Sequence, residues 1–268
     1  MNEKCCVIVN TCDAYVDLWK PFFTLFARNW PDCPYEVILN TEQQDYEFNG
    51  IALSVNKAKR IDEPWGARLY ECVKKVKTPY VLFLLDDFFL EGPVNQKKIE
   101  QCLCWMENNP EIASFSLVPT LWEDIADNRF PGFLRRPDKC LYKVNCQAGI
   151  WRKEMLLHLI RKHETPWEFE NFGSSRARRQ KQMVFYAADE SSSPVFQYDW
   201  VAGGAVHRGK WTERVPSIAK QNGLVIDFTQ RGMDEVPVTN HEKRANPEEH
   251  VPLLVKIGNA ILHWRSYL

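Results

Sequence analysis

The chain has 268 residues, 45% hydrophobic and 26% charged, with a formal net charge of -1. That balance excludes a general nucleic-acid binder, which carries a strong basic excess, and the length suits one α/β domain with a substantial core. No window offers a membrane-spanning helix, and the first apolar run, Cys5–Val9, is too short for a signal-peptide core.

That run reads as a strand ending in Asn10-Thr11-Cys12-Asp13, with Asp13 placed to cap the next helix. The helix carries Leu18, Phe22, Leu25 and Phe26 near helical spacing. Strands follow at Tyr35–Leu39 and Ile51–Val55. A helix from about Asp62 lines up Leu69, Cys72, Val73 and Val76. Tyr80–Leu85 is an uninterrupted apolar run and reads as a strand buried on both faces. It leads directly into Asp86 and Asp87. A helix with Ile99, Leu103 and Met106 and a strand at Ile112–Val118 complete the first 120 residues. The alternation predicts a mostly parallel central sheet flanked by helices.

The second half reads differently. Residues 121–138 are rich in Pro, Arg and Asp and read as a long loop. Strands are expected at Cys140–Val144 and Gln147–Trp151, and helices near 152–163 and 166–182. Strand-like pieces return at Val195–Tyr198, Val201–Val206 and Leu224–Phe228. Residues 229–250 form a polar loop. Val251–Tyr267 reads as an amphipathic helix with a stripe of Leu254, Ile257, Ile261 and Leu262.

The cysteines are odd in number, and only Cys102 and Cys104 form a C-x-C, with no second pair at metal-site spacing. They read as reduced thiols of a cytoplasmic protein.

Ligands of open α/β sheets bind beyond the carboxyl ends of the strands, where Asp86 and Asp87 stand. Two carboxylates there suit a hard divalent cation that bridges to phosphates. The competing reading is one Asp capping the turn and the other solvated. Thr165-Pro166-x-Glu168 matches a capping box with proline at the first helical position, which gives Glu168 a structural role. Glu170 has no such local explanation.

In layout and short motifs, residues 4–211 resemble the GT-A fold of nucleotide-sugar glycosyltransferases, of the kind used in bacterial capsule or lipopolysaccharide assembly. The motifs are Val7–Asp13 at the first strand end, Trp65-Gly66-Ala67-Arg68-Leu69, Leu85-Asp86-Asp87, Asn145–Trp151, Pro166-Trp167-Glu168-Phe169-Glu170, and Val206-His207-Arg208-Gly209-Lys210-Trp211. The resemblance implies a single domain over 1–228, with a nucleotide-binding half at 1–120 and a smaller acceptor half at 121–228. Residues 229–268 would follow as polar loop and C-terminal helix.

It also implies roles. Asn10, Thr11 and Asp13 would hold base or ribose. Arg68 would hold base or phosphate. Asp86 would meet ribose, and Asp87 a Mn²⁺ or Mg²⁺ ion. The family motif has carboxylates two apart or three in a row, whereas Phe88 follows here, so either the metal site is incomplete or His207 supplies a second ligand. Arg208 and Lys210 would neutralise the diphosphate. Gln147, Trp151 and Trp167 would face acceptor or sugar, with core packing the other reading of both tryptophans. Glu170 is the favoured general base of an inverting transfer, and Glu168 the other candidate. The basic run Arg176–Lys181 is a solvated helix face or an attractor for a lipid-linked acceptor and an anionic membrane surface, which allows peripheral contact with the inner face of the membrane.

Two other functions fit the layout. A nucleotidyltransferase that makes the nucleotide sugar would need a Gly-rich loop after the first strand, and Asn10-Thr11-Cys12-Asp13 has no glycine. A non-catalytic nucleotide or sugar binder needs no third carboxylate.

Overall fold

The computed structural model describes residues 3–120, 124–201 and 203–234. The chain begins with β1 (Cys5–Asn10), a 3-10 turn (Asp13–Tyr15) and α1 (Val16–Asn29). It continues through β2 (Val37–Thr41), β3 (Leu53–Lys57), α2 (Trp65–Lys75), β4 (Tyr80–Leu85), α3 (Gln96–Asn108) and β5 (Ile112–Ser116). Then come β6 (Ile125–Ala126), β7 (Phe133–Arg135), β8 (Gly149–Arg152) and α4 (Lys153–Leu159). One continuous helical stretch follows: α5 (Pro166–Glu168), a π turn (Phe169–Gly173) and α6 (Ser174–Arg179). The last elements are β9 (Val184–Ala188), the ribbon β10 (Val206–His207) and β11 (Lys210–Trp211), and α7 (Val215–Asn222). The expected helix Val251–Tyr267 and residues 235–250 of the polar loop lie outside the described residues.

Nine strands make one sheet in the order β3-β2-β1-β4-β8-β5-β9-β7-β6. β1 to β4 are mutually parallel, and β5 pairs parallel with β9. β8 runs antiparallel to both of its neighbours, β4 and β5. The sheet is thus mostly parallel in its first half and mixed in its second. Residues from both sequence halves share it, because β8 inserts between β4 and β5.

Alternation along the central strands explains why they are apolar throughout. Cys5, Val7, Val9, Leu82 and Leu84 face the cluster built with α1 and α3. Cys6, Ile8, Val81 and Phe83 face the other, built with α2 and α4. Successive side chains of a strand point to opposite faces, so a strand covered on both sides needs apolar residues at every position. Gly66 lets α2 approach the 161–164 segment closely: its N–H bonds the Glu164 carbonyl at 2.9 Å, and a Cβ there would lie 2.1 Å from the Arg161 carbonyl oxygen.

The second half departs from its sequence pattern in several places. Cys140–Val144 is a run of turns and bends, with Tyr142 in the left-handed region at φ 46°, where a strand cannot continue. Within 121–138, expected as loop, β6 and β7 pair with each other and β7 with β9. At Val195–Tyr198 only Gln197 makes a bridge, to Gly92. Leu224–Phe228 forms no strand; it follows Gly223, whose left-handed conformation (φ 63°) ends α7. β9, which the sequence reading passes over, lies beside β5. Arg176 is not a solvated cation: it is 3% exposed and bonds both carboxylate oxygens of buried Glu164 at 2.7 Å and the Leu159 carbonyl. Arg178 reaches the Cys140 carbonyl. All nine cysteines are free thiols. Among the described residues no helix is long and apolar enough to cross a membrane.

Candidate functional site

The strand order reverses at the boundary of β1 and β4. From β1 the chain winds outward through β2 and β3, then returns to place β4 on the other side of β1. In-register pairing sets Asn10 between Asn40 and Leu85. The polar ends Asn10-Thr11 and Asp86-Asp87 therefore meet at the crevice where open α/β sheets bind ligands.

Thr11 ties the two ends together. Its hydroxyl donates to the Asp86 carboxylate and accepts from Trp19 Nε1 at 2.9 Å. Its carbonyl accepts from Arg68 at 2.7 Å. Arg68 is 4% exposed, which excludes a solvated helix arginine; its other contact is Glu42, at 3.5 Å. Asn10 belongs to a ladder that crosses three strands. Lys75 donates to Asn56, Asn56 to Asn40 and Asn40 to Asn10. Lysine has only protons to give, so it fixes the orientation of all three amides and leaves the Asn10 amide nitrogen as the terminal donor, buried and without a partner.

Asp13 is not a helix cap. Cys12 occupies that position without a side-chain bond, and Asp13 opens the 3-10 turn. Its carboxylate accepts from the Thr41 hydroxyl at 2.6 Å and from the backbone N–H groups of Glu42, Gln43 and Gln44. Burial raises its pKa, but these donors outweigh burial and leave it below the ordinary carboxylate value.

The two adjacent aspartates differ. Asp86 is 2% exposed; burial first, and the neighbouring Asp87 charge second, push it well above the ordinary carboxylate value against the Thr11 bond. Asp87 is half-buried, and burial lifts it to about 7. Its Oδ1 is buried without a hydrogen-bond partner. A Cβ on Gly204 would stand 2.1 Å from its Oδ2, so only glycine leaves room for the carboxylate where it lies. Among the described residues no three His, Cys, Asp or Glu side chains converge as a metal site, so Asp86, Asp87 and His207 do not form one. An orphaned carboxylate oxygen still fits a hard cation that takes one protein carboxylate and fills its shell from phosphates and water. His207 Nδ1 is bonded to Asp234.

Gly204→Ala is expected to abolish any Mn²⁺-dependent stabilisation, because the added methyl displaces the Asp87 carboxylate, while the far-UV circular dichroism stays that of the wild type. A variant that keeps the full Mn²⁺ response would show that Asp87 is not the ligand.

Arg208 and Gly209 form the tip of the β10–β11 ribbon, both with positive φ (51° and 81°), as a two-residue turn of the primed type requires. Arg208 and Lys210 are exposed there.

Glu170 lies in the π turn, a helix irregularity common at functional sites. It is half-buried and accepts the Cys146 N–H at 2.7 Å. Burial pushes its carboxyl up to about 7 against that bond. The buried Cys146 thiol lies within electrostatic reach of both Glu170 and Asp87. The two carboxylates therefore share one end of the sheet. Glu168 completes the capping box: its carboxylate accepts from the Thr165 N–H and hydroxyl, both at 2.9 Å, and its own N–H bonds the Thr165 hydroxyl. Trp167 is 71% exposed. Trp151 is 3% exposed and packs edge-on against Phe185, so it serves the core rather than a sugar face. Gln147 is half-buried and accepts the Tyr198 hydroxyl at 2.8 Å.

Sequence reasoning misses four participants. Glu42 and Tyr198 carry no motif. Gly204 is legible only through its neighbour. Arg231 falls in an expected polar loop, yet it chelates Asp17, bonds the Ala14 carbonyl and lies 4.6 Å over the Tyr15 ring.

Fold and site together define an α/β protein with a paired-carboxylate crevice at the reversal of its sheet. No protein-family model matches the sequence, and no curated protein sequence matches it. Among solved structures it is similar to residues 1–349 of TarS from S. aureus, at TM-score 0.47 and 13% identity over 69% of this chain and 60% of that one. The same TarS fragment in complex with UDP-GlcNAc aligns at TM-score 0.45 and 12% identity, over 72% of this chain and 60% of that one. A cytidylyltransferase from Leptospira borgpetersenii serovar Hardjo-bovis aligns at TM-score 0.46 and 11% identity, over 83% of this chain and 96% of that one. The chain thus spans 60% of the TarS fragment's length.

Proposed function

We propose that the protein is a glycosyltransferase of GT-A type that moves a sugar from a nucleotide-activated donor to a glycan or lipid-linked acceptor with inversion. The observation that carries the reading is Asp87, whose buried Oδ1 lacks a partner at the carboxyl-end crevice between β1 and β4. The nucleotide lies across the ends of those strands, near Asn10, Thr11 and Arg68. Asp87 would hold a Mn²⁺ or Mg²⁺ ion, which would supply positive charge to the leaving diphosphate when bound. Arg208 and Lys210, exposed on their hairpin, add to that charge. Glu170 accepts the proton of the acceptor hydroxyl. Its pKa near 7 suits a general base at neutral pH. Trp167 offers an exposed ring for a sugar face. Glu168 keeps to its capping box and positions the helix start.

A nucleotidyltransferase is disfavoured by the first loop. Only Thr11 and Cys12 separate β1 from the 3-10 turn, and Thr11 is already bonded to Asp86, Trp19 and Arg68. The loop has no glycine to let its backbone wrap a triphosphate.

A thermal-shift panel of UDP-, GDP-, CMP- and dTDP-sugars, each with and without Mn²⁺, tests the proposal. A donor at a hundredfold excess over its Kd stabilises by about 2.7 kcal/mol, which is a rise of roughly 5–10 °C for a domain of this size. One donor class should give that rise with Mn²⁺. No rise with any of the four overturns the reading. Release of pyrophosphate from a nucleoside triphosphate and a sugar phosphate would replace it with the nucleotidyltransferase.

A further inference from the structure

We infer that the cavity beyond the carboxyl ends of β5 and β9 is a second ligand site and that it takes a sugar bearing a free ammonium group. The cavity has a volume of 390 Å³. That falls within the range of small-molecule sites. Leu117 and Ala188, at the ends of those two strands, form part of its floor.

Its chemistry is aromatic and acidic. Phe196 and Tyr198 line it as core rings, packed against Trp30 and Phe88, and half-buried Trp200 is the ring with surface to offer. Aromatic rings take the apolar face of a sugar and attract a cation over the ring. Four carboxylates and one guanidinium also line it. Arg214 is engaged by two of the acids: it bonds Glu91 at 2.9 Å and pairs with Asp199 at 3.3 Å. Among the described residues Asp189 and Glu190 have no cationic partner in an ion pair. The cavity therefore keeps an uncompensated negative charge next to aromatic surface, which favours a cationic ligand over a neutral or anionic one.

The cavity adjoins a small pocket lined by Asp87. Tyr198, Glu91, Asp199 and Arg214 line it and also line the small pocket beside Asp87 and Gly204. Tyr198 is the wall between them, fixed by its bonds to Gln147 and the Ala148 N–H. The cavity adjoins the Asp87 pocket across Tyr198, so on the reading of the protein as a glycosyltransferase the sugar seated there is the acceptor.

The experiment is equilibrium binding to the 268-residue chain at pH 6.5 with three probes: glucosamine, N-acetylglucosamine and glucose. These differ only in the substituent at C2, which is an ammonium, an acetamide or a hydroxyl. Glucosamine should bind about tenfold more tightly than the other two. The Asp189→Asn/Glu190→Gln double variant should bring the three probes together. Trp200→Ala should weaken all three, and Trp200→Phe should restore much of the loss if the alanine variant is poorly folded. Equal affinities in the wild type, or no binding of glucosamine at millimolar concentration, overturn the assignment. So does a preference that survives the double variant. UDP binding measured on the same sample separates this inference from the donor-site reading. UDP bound without amine preference sinks only the cavity assignment. Amine preference without binding of any nucleotide sugar keeps the cavity and sinks the glycosyltransferase.

Discussion

Glu170→Gln is expected to lower turnover by about 10²–10⁴-fold with donor affinity nearly unchanged. The substitution keeps size and polarity. The Gln oxygen can still accept the Cys146 N–H that now bonds Glu170 at 2.7 Å, so the π turn and the β8 approach keep their geometry. Only the proton acceptor is removed. Burial raises the wild-type carboxyl to about 7, so the charged, basic form grows as pH rises through that value. The wild-type rate should climb with pH on that limb, and the limb should be absent in the variant. Glu168→Gln is the matched control. Gln also serves in a capping box, so both rate and melting temperature should stay close to wild type. Turnover followed by release of the nucleoside diphosphate, with donor affinity measured separately, decides between the two. If Glu168→Gln is the variant that loses rate, the roles are reversed.

Asp87→Asn should abolish turnover yet stabilise the cation-free protein at alkaline pH. Burial lifts the Asp87 carboxyl from its ordinary value to about 7. The folded chain therefore keeps a proton that the unfolded chain releases at lower pH. The stability linked to that proton is complete below the unfolded value and is lost as pH rises through about 7. An amide has no such proton to lose. At pH 8 the variant should exceed the wild type by on the order of 1–3 kcal/mol, while at pH 4 the two should nearly coincide. Mn²⁺ should narrow the gap at pH 8 by stabilising only the wild type. Melts at both pH values, with and without Mn²⁺, check this. A variant less stable than the wild type at both pH values would mean that native partners favour the charged carboxylate.

The first half of the fold is legible because buried parallel strands must be apolar on both faces. Cys5–Val9 and Tyr80–Leu85 satisfy that rule residue by residue, and the polar residues that follow them mark the crevice. The capping box is equally legible, since Thr165, Pro166 and Glu168 interact within one turn. The second half depends on contacts distant in sequence. Cys140–Val144 has strand composition, but Tyr142 turns the backbone left-handed. β6 and β7 are only two and three residues long, below what a pattern can reveal. Arg176 looks like part of a charged face because its partner, Glu164, comes from the preceding loop. Trp151 is drawn into the core by Phe185, on β9. At the site, Asp86 and Asp87 are readable as a pair. What distinguishes them is not, because it arises from Thr11 on one side and Gly204 on the other.

The position of β8 has a consequence for how the chain is made. Among the described residues it is the only strand of the nine-stranded sheet that pairs with both the β3-β2-β1-β4 block and the β5-β9-β7-β6 block. During synthesis the first block can assemble once β4 has emerged, but its β4 edge stays open until Gly149–Arg152 arrives. β5 emerges earlier and has no partner in the block, since it waits for the same strand. A nascent chain halted between these points presents a bare apolar edge of the kind that pairs with other chains. Cys146, the donor that holds Glu170, emerges just ahead of β8, whereas Glu170 itself follows β8 in the chain. Joining the two blocks therefore precedes the anchoring of Glu170, so a nascent chain halted after β8 and before residue 170 has β4 and β5 bridged while Cys146 still lacks its carboxylate partner.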